Sequence, residues 1–271
     1  MQLERFSPQK HLYPVLDYVV MNGGKRLRPL LVYRTSDCLG LNLETSDAIA
    51  CAIELVHCYS LAHDDLPAMD NAKMRRGKPS CHIKFDEASA ILSGDALIPL
   101  AFKLINEIET HSIETKSVML DKFSDCIGGE GLVAGQMLDL KILQQKNTHE
   151  QLERIYDLKT GCLFVAAMYI PALVKRCNIS QLQNIEKIAI YLGRIFQIKD
   201  DLLDIESHAT NTGKPSGLDK AKYTLPKIIV LVETRKIYAS YIDKIKFLLE
   251  ATFKSATPLL ELVEMINTRT Y

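Results

Sequence analysis

The sequence lacks most of the features that mark a specialised class of protein. Its 33 basic and 33 acidic side chains cancel. No overall field therefore directs it to nucleic acid or an anionic membrane, and any anion binding must come from local clusters. Seven scattered cysteines (Cys38, Cys51, Cys58, Cys81, Cys126, Cys162, Cys177) form no C-x-x-C pair. An odd set of this kind argues against a disulfide framework or a structural zinc site, and for a reduced, cytoplasmic protein. The N-terminus has no apolar signal core. The longest apolar run, Cys162 to Val174, is broken by Pro171 and falls short of the ~20 residues a membrane span needs. It reads as a buried core helix, and no transmembrane segment is expected. Fixed-period repeats, low-complexity tracts and the apolar alternation of strands are all missing as well.

What remains is helical periodicity. Ala48, Cys51, Ala52, Leu55 and Val56 recur at 3/4 spacing, as do Ala90, Ile91, Gly94, Leu97, Ile98 and Ala101. Ile185, Ile188, Ala189, Leu192, Ile195 and Phe196 do the same. Glycine and proline gather at punctuation points such as Gly23-Gly24, Gly77/Pro79 and Gly128-Gly129. No composition shift marks a boundary. The expectation is an all-α chain, residues 1–271 as a single domain of about ten helices.

Two acidic clusters carry the chemistry. The first is Asp64, Asp65 and Asp70, followed by Arg75 and Arg76. Carboxylates bind Mg²⁺, Mg²⁺ binds phosphate oxygens, and arginine forks bind phosphate directly. Pro67 prevents a simple continuous helix there, so Asp70 is expected to swing round to face the same cavity. The second is Asp200, Asp201 and Asp204, which with Gln197 stand at i, i+3, i+4 and i+7 and so share one helix face. Three carboxylates on one face repel unless they are solvated or neutralised by a cation. A lone D-D-x-x-D also fits an ordinary solvated acidic patch; a second such cluster argues against that. The all-oxygen ligand set favours Mg²⁺ over Zn²⁺.

Basic anchors accompany the clusters. Gly23-Gly24 precede Lys25, Arg26 and Arg28, and glycine lets a backbone approach a ligand closely. Lys25 and Arg28 stand three apart and are able to face one anion. His57 lies two helical turns before Asp64 on nearly the same face. Lys159-Thr160-Gly161, Lys214 and Lys222 are weak signals individually.

These motifs in this order resemble the trans-isoprenyl diphosphate synthases, and within them the bacterial farnesyl diphosphate synthases. The match comprises G-G-K-R-L-R-P, E-L-V-H-C-Y-S-L-A-H-D-D-L-P-A-M-D, R-R-G-K-P, G-D-A-L, G-Q-M-L-D-L, K-T-G, G-R-I-F-Q-I-K-D-D-L-L-D and a late K-Y-T-L-P. The resemblance implies an all-helical, homodimeric enzyme with a central cavity between two aspartate-rich helices. Asp64, Asp65 and Asp70 would hold two Mg²⁺ ions, and Asp200, with Asp201 and Asp204, a third. Arg75, Lys159, Lys214 and Lys222 would add cationic contacts to an allylic diphosphate. Gly24, Lys25, Arg28, His57 and Arg76 would hold isopentenyl diphosphate, and Thr160 and Gln197 would line the cavity. Tyr59 and Ser60, five and four positions before the first aspartate, would floor the pocket and favour a C15 product over C10 or C20. Residues 71–73 are Asn-Ala-Lys, where many relatives carry further aspartates.

Rival readings have their own discriminators. An HD phosphohydrolase built on His63-Asp64 would leave the second cluster unexplained. A non-catalytic subunit of a prenyl synthase should have lost aspartates or basic anchors. A helical terpene cyclase should pair one aspartate cluster with an Asn/Ser/Glu metal motif, which is not found.

Overall fold

The computed structural model describes residues 10–142, 148–210 and 224–270. Among them lie thirteen α-helical segments and a single two-stranded hairpin. The excess over about ten helices comes from one-turn pieces such as Cys81–Lys84 and Leu225–Ile228, too short to register as a period. The residues cluster in two compact units, one holding 41–120 with the chain before Arg34, the other 34–40 and 121–271.

The first unit is built around α3 (Leu43–Asp64), which packs on α5 (Glu87–Glu107). Asn42 caps α3, its Oδ1 accepting the Thr45 N–H at 2.8 Å. Asp86 caps α5 in the same way through the Ser89 N–H at 2.7 Å. From Ile49 to Val56 only Cys51 escapes full burial, so α3 is a central helix. On α5 the buried stripe is Ala90, Ser93/Gly94, Leu97, Leu100/Ala101 and Leu104. Ile91, expected on that stripe, is exposed. β1 (Met74–Arg75) and β2 (Lys78–Pro79) pair antiparallel across a two-residue turn, Arg76-Gly77, both at positive φ (54° and 76°). That is the backbone of a type I′ hairpin. Arg76 therefore occupies a conformation that a non-glycine residue adopts only when its surroundings impose it.

The second unit is centred on α10 (Ile179–Thr210), which packs on α9 (Cys162–Val174) and α12 (Leu231–Thr252). Nine of the thirteen α9 residues are buried, as expected for the longest apolar run. Ile185, Ile188, Ala189, Leu192 and Ile195 form the buried stripe of α10. Between α8 (His149–Ile155) and α9 the helix widens into a π-helical turn, Tyr156–Gly161. Two close approaches shape this turn. A Cβ on Gly193 would stand 2.7 Å from Gly161 Cα, and one on Gly135 of α7 (Leu132–Ile142) would stand 2.2 Å from Lys159 N. Arg194 locks the same region, donating to Asp157 at 2.7 Å through Nε and Nη2.

Two helices, Glu87–Glu107 and His149–Val174, are long and apolar enough by composition to cross a membrane. Apolar-run length alone does not reveal them, because scattered polar residues interrupt both. Their apolar windows are 44% and 67% buried within the chain. All seven cysteines are free thiols.

Candidate active site

In the first unit the basic anchors converge. Gly23 and Gly24 adopt φ of +83° and +110°. This bend leads into α2 (Leu27–Leu39). Arg26 turns inward, where it pairs with the buried Glu54 and donates to the Val20 carbonyl at 2.6 Å. That contact pins the bend and separates Arg26 from its neighbours Lys25 and Arg28, one of them exposed and the other half-buried. Arg28 Nη1 reaches His57 Nε2 at 3.4 Å, and Arg76 Nη2 reaches the same nitrogen at 3.3 Å. Arg76 also donates to the Gly23 carbonyl. Gly24, Arg28, His57 and Arg76 thus form one cationic surface. Burial, then Arg28, Arg76, Arg26 and Arg75, hold the His57 pKa well below its ordinary value. The imidazole is neutral and accepts from the guanidinium groups.

The first aspartate cluster sits where α3 ends. Asp64 is its last residue and Asp65 its C-cap. The chain then folds back: the Asp70 N–H donates to Asp64 O at 2.8 Å and the Ala72 N–H to Asp65 O at 3.1 Å. Pro67 and the left-handed Asn71 (φ 48°) enforce that return. The return after Pro67 thus brings the Asp70 backbone to that of Asp64. Asp64 and Asp70 are half-buried, whereas Asp65 is buried and gripped by Arg75, Nη2 to Oδ1 at 2.5 Å and Nε to Oδ1 at 3.0 Å. The hairpin carries both arginines to different places, Arg75 onto Asp65 and Arg76 onto His57.

In the second unit Asp200, Asp201 and Asp204 have distinct surroundings. Asp200 pairs with Arg269 Nη2 at 2.7 Å, and that guanidinium also donates to Phe196 O at 2.7 Å and lies 4.2 Å from the Phe196 ring centroid. Asp204 is exposed. Asp201 is buried: Oδ2 accepts the Tyr156 hydroxyl at 2.5 Å and the Leu225 N–H at 3.2 Å, and Oδ1 accepts Gln197 Nε2 at 3.3 Å. Burial pushes the Asp201 carboxyl up to about 6, against the pull of those hydrogen bonds. Lys159 and Thr160 lie in the π-helical turn, a frequent device for presenting functional side chains. Lys159 Nζ is held by Asp139 Oδ2 at 2.5 Å. Lys214 and Lys222 lie outside the described residues.

Asp139, Tyr156 and the Arg26–Glu54 pair are supporting residues that periodicity did not single out. Asp139 was visible only as a letter of G-Q-M-L-D-L, because the contact it makes spans 20 positions. Among the described residues no three His, Cys, Asp or Glu side chains already converge as a metal site. The candidates nevertheless offer only hard carboxylate oxygens. Such a set suits Mg²⁺, which keeps several waters and takes phosphate oxygens as further ligands.

Comparison with known proteins identifies the family. The farnesyl diphosphate synthase of Geobacillus stearothermophilus is 39% identical over 245 residues, covering 89% of this chain and 82% of the relative. The crystal structure of a geranyltransferase from Legionella pneumophila superposes with a TM-score of 0.86 at 34% identity, covering 97% of this chain and 89% of that one. A Helicobacter pylori geranyltransferase, solved in complex with magnesium and isoprenyl diphosphate, superposes at 0.81 with 28% identity over 96% of this chain and 88% of its own. The polyprenyl synthetase model matches residues 9–265, and the chain belongs to that family.

Proposed function

We propose that this chain condenses isopentenyl diphosphate head-to-tail with dimethylallyl or geranyl diphosphate to give farnesyl diphosphate. The observation that carries the reading is the convergence of Arg28 and Arg76 on the neutral His57 beside the Gly23-Gly24 bend. A cationic surface built around a neutral imidazole suits an anion, and two forked guanidinium groups suit a diphosphate. Gly24, Lys25, Arg28, His57 and Arg76 bind isopentenyl diphosphate there.

Magnesium, three ions in this reading, supplies charge neutralisation for the departing diphosphate. Asp64, Asp65 and Asp70 in the first unit, and Asp200 and Asp204 in the second, are the residues that would hold it. Asp200 and Asp204 would face an ion, while Asp201, with both oxygens engaged, holds the helix register behind them. Arg75, Lys159, Lys214 and Lys222 receive the allylic diphosphate. Positive groups placed where negative charge develops lower the barrier to breaking the allylic C–O bond. Thr160 and Gln197 line the site of the resulting allylic cation and keep water from it. The alkene of isopentenyl diphosphate attacks, and loss of a proton to the departing diphosphate completes the step. No protein nucleophile is required.

Tyr59 floors the hydrocarbon pocket and limits the product to C15. It is buried on α3 five residues before Asp64. Ser60, beside it, turns its hydroxyl to the His57 carbonyl at 2.9 Å. The protein works as a homodimer in the reducing cytoplasm, in keeping with its free thiols.

The test is incubation with labelled isopentenyl diphosphate, dimethylallyl or geranyl diphosphate and Mg²⁺, followed by chromatography of the dephosphorylated products. Farnesol is expected. No condensation would return the chain to a binding or regulatory subunit.

A further inference from the structure

The G-D-A-L motif at Gly94–Leu97 has no part in the reaction described above, yet Gly94 meets the chain-length region directly. A Cβ on Gly94 would stand 2.1 Å from His63 Nε2, 2.6 Å from its Cε1 and 2.7 Å from its Cδ2. The imidazole thus occupies the volume that any side chain at position 94 would need. Its Nε2–H donates to the Ile91 carbonyl at 3.0 Å, fixing the ring on α5. Its other side meets Tyr59, edge-on, with centroids 5.7 Å apart and planes at 77°. Residues 59 and 63 are one helical turn apart on α3, so their side chains stack along one face. Tyr59 is buried, and burial, then Asp64, raises its hydroxyl to about 12.

We propose that His63 is a positioning residue for product length: it holds the Tyr59 ring across the end of the pocket, and Gly94 is the space that lets it do so. The proposal rests on the reading of Tyr59 as the floor. An imidazole that merely fills the α3–α5 seam would affect stability when removed, but not where elongation stops. A ring that braces Tyr59 would affect both.

The experiment measures the C20:C15 product ratio from geranyl diphosphate and labelled isopentenyl diphosphate. The variants are Tyr59→Ala, His63→Ala, Gly94→Ala and the double Tyr59→Ala/His63→Ala. Circular dichroism identifies any variant that fails to fold. His63→Ala removes the brace without crowding α5, so it carries the test if Gly94→Ala does not fold. The expected result is a several-fold rise in the ratio for each single variant. The double variant should show no more lengthening than Tyr59→Ala alone, because His63 acts through Tyr59. Lengthening in Tyr59→Ala with an unchanged ratio in His63→Ala overturns the proposal and leaves the floor intact. An additive double variant also overturns it. An unchanged ratio in Tyr59→Ala removes the floor reading first, and the proposal with it.

Discussion

Arg76 stands where a side chain on Gly24 would have to go: a Cβ built there falls 2.3 Å from Arg76 Cζ and 2.6 Å from Nη1. The two residues are far apart in sequence, yet the left-handed bend at Gly24 and the I′ turn at Arg76-Gly77 bring them into contact. A guanidinium is the far end of a flexible side chain, so Gly24→Ala would displace it rather than block folding. Alanine at φ +110° adds about 1–2 kcal/mol of backbone strain. The expected outcome is a KM for isopentenyl diphosphate raised roughly tenfold, about 1.4 kcal/mol of binding. The KM for geranyl diphosphate should change little. Steady-state kinetics with each substrate varied in turn would check this, and an equal rise in both KM values would refute the assignment.

Arg75 and Asp65 form a different kind of pair. The Asp65 side chain is 3% exposed and the Arg75 side chain 33%. Removing the partner of a buried carboxylate leaves a desolvated charge, which costs 3–5 kcal/mol in fully buried pairs. Because Arg75 keeps a third of its surface in water, Arg75→Ala should cost roughly 2–3 kcal/mol. Arg75→Lys would recover part of that through a single contact in place of the fork. Denaturant unfolding of the three proteins tests the ranking; a midpoint for Arg75→Ala equal to wild type would contradict it.

His57 gives a pH prediction. Burial and the arginines around it hold its pKa low in the folded chain, while in the unfolded chain it titrates near 6.5. Below about 6.5 the unfolded state therefore binds the extra proton, and the stability present above that pH is progressively lost as pH falls. A diphosphate placed among Arg28, Arg76 and His57 would reverse the repulsion and raise the His57 pKa. Binding of isopentenyl diphosphate at pH 6 should therefore take up protons. Titration calorimetry in buffers of different ionisation enthalpy would measure the uptake, and His57→Gln should reduce it. Equal uptake in both proteins would place the diphosphate elsewhere.

The parts of the fold legible in the sequence were those set by local period and local chemistry. The helices leading to Asp64 and Asp200, the burial of Cys162–Val174 and the bend after Pro67 all follow from residues within a few positions of one another. The hairpin that separates Arg75 from Arg76 was not legible, because its two-residue strands carry no alternation. Its one local sign was Gly77, which the turn requires at positive φ. The π-helical turn was equally hidden. The bare Cα atoms packed against it, Gly135 and Gly193, come from distant positions. The face of Asp200, Asp201 and Asp204 was readable from spacing, but their inequality was not. Asp201 is distinguished by Tyr156, 45 positions away, and Asp200 by Arg269.

That inequality makes a last prediction. Burial holds the Asp201 carboxyl near 6 in the folded chain, about two units above its unfolded value of ~3.9. Between those pH values the folded state binds more protons than the unfolded state, so this group makes stability fall as pH rises from about 4 to about 6. Two units correspond to roughly 3 kcal/mol as an upper bound. Asp201→Asn carries no such charge, and its amide oxygen is still able to accept from Tyr156 and the Leu225 N–H. The variant should lack the slope, so its stability relative to wild type rises across this interval. Tyr156→Phe removes a bond that favours the ionised form and should move the slope to higher pH. Denaturant unfolding at pH 4.5 to 7 in the presence of EDTA would compare the three proteins, with the His57 contribution common to all of them. The same slope in Asp201→Asn as in wild type would show that Asp201 ionises as freely in the folded chain as in the unfolded one. Its three hydrogen bonds would then fully offset its burial.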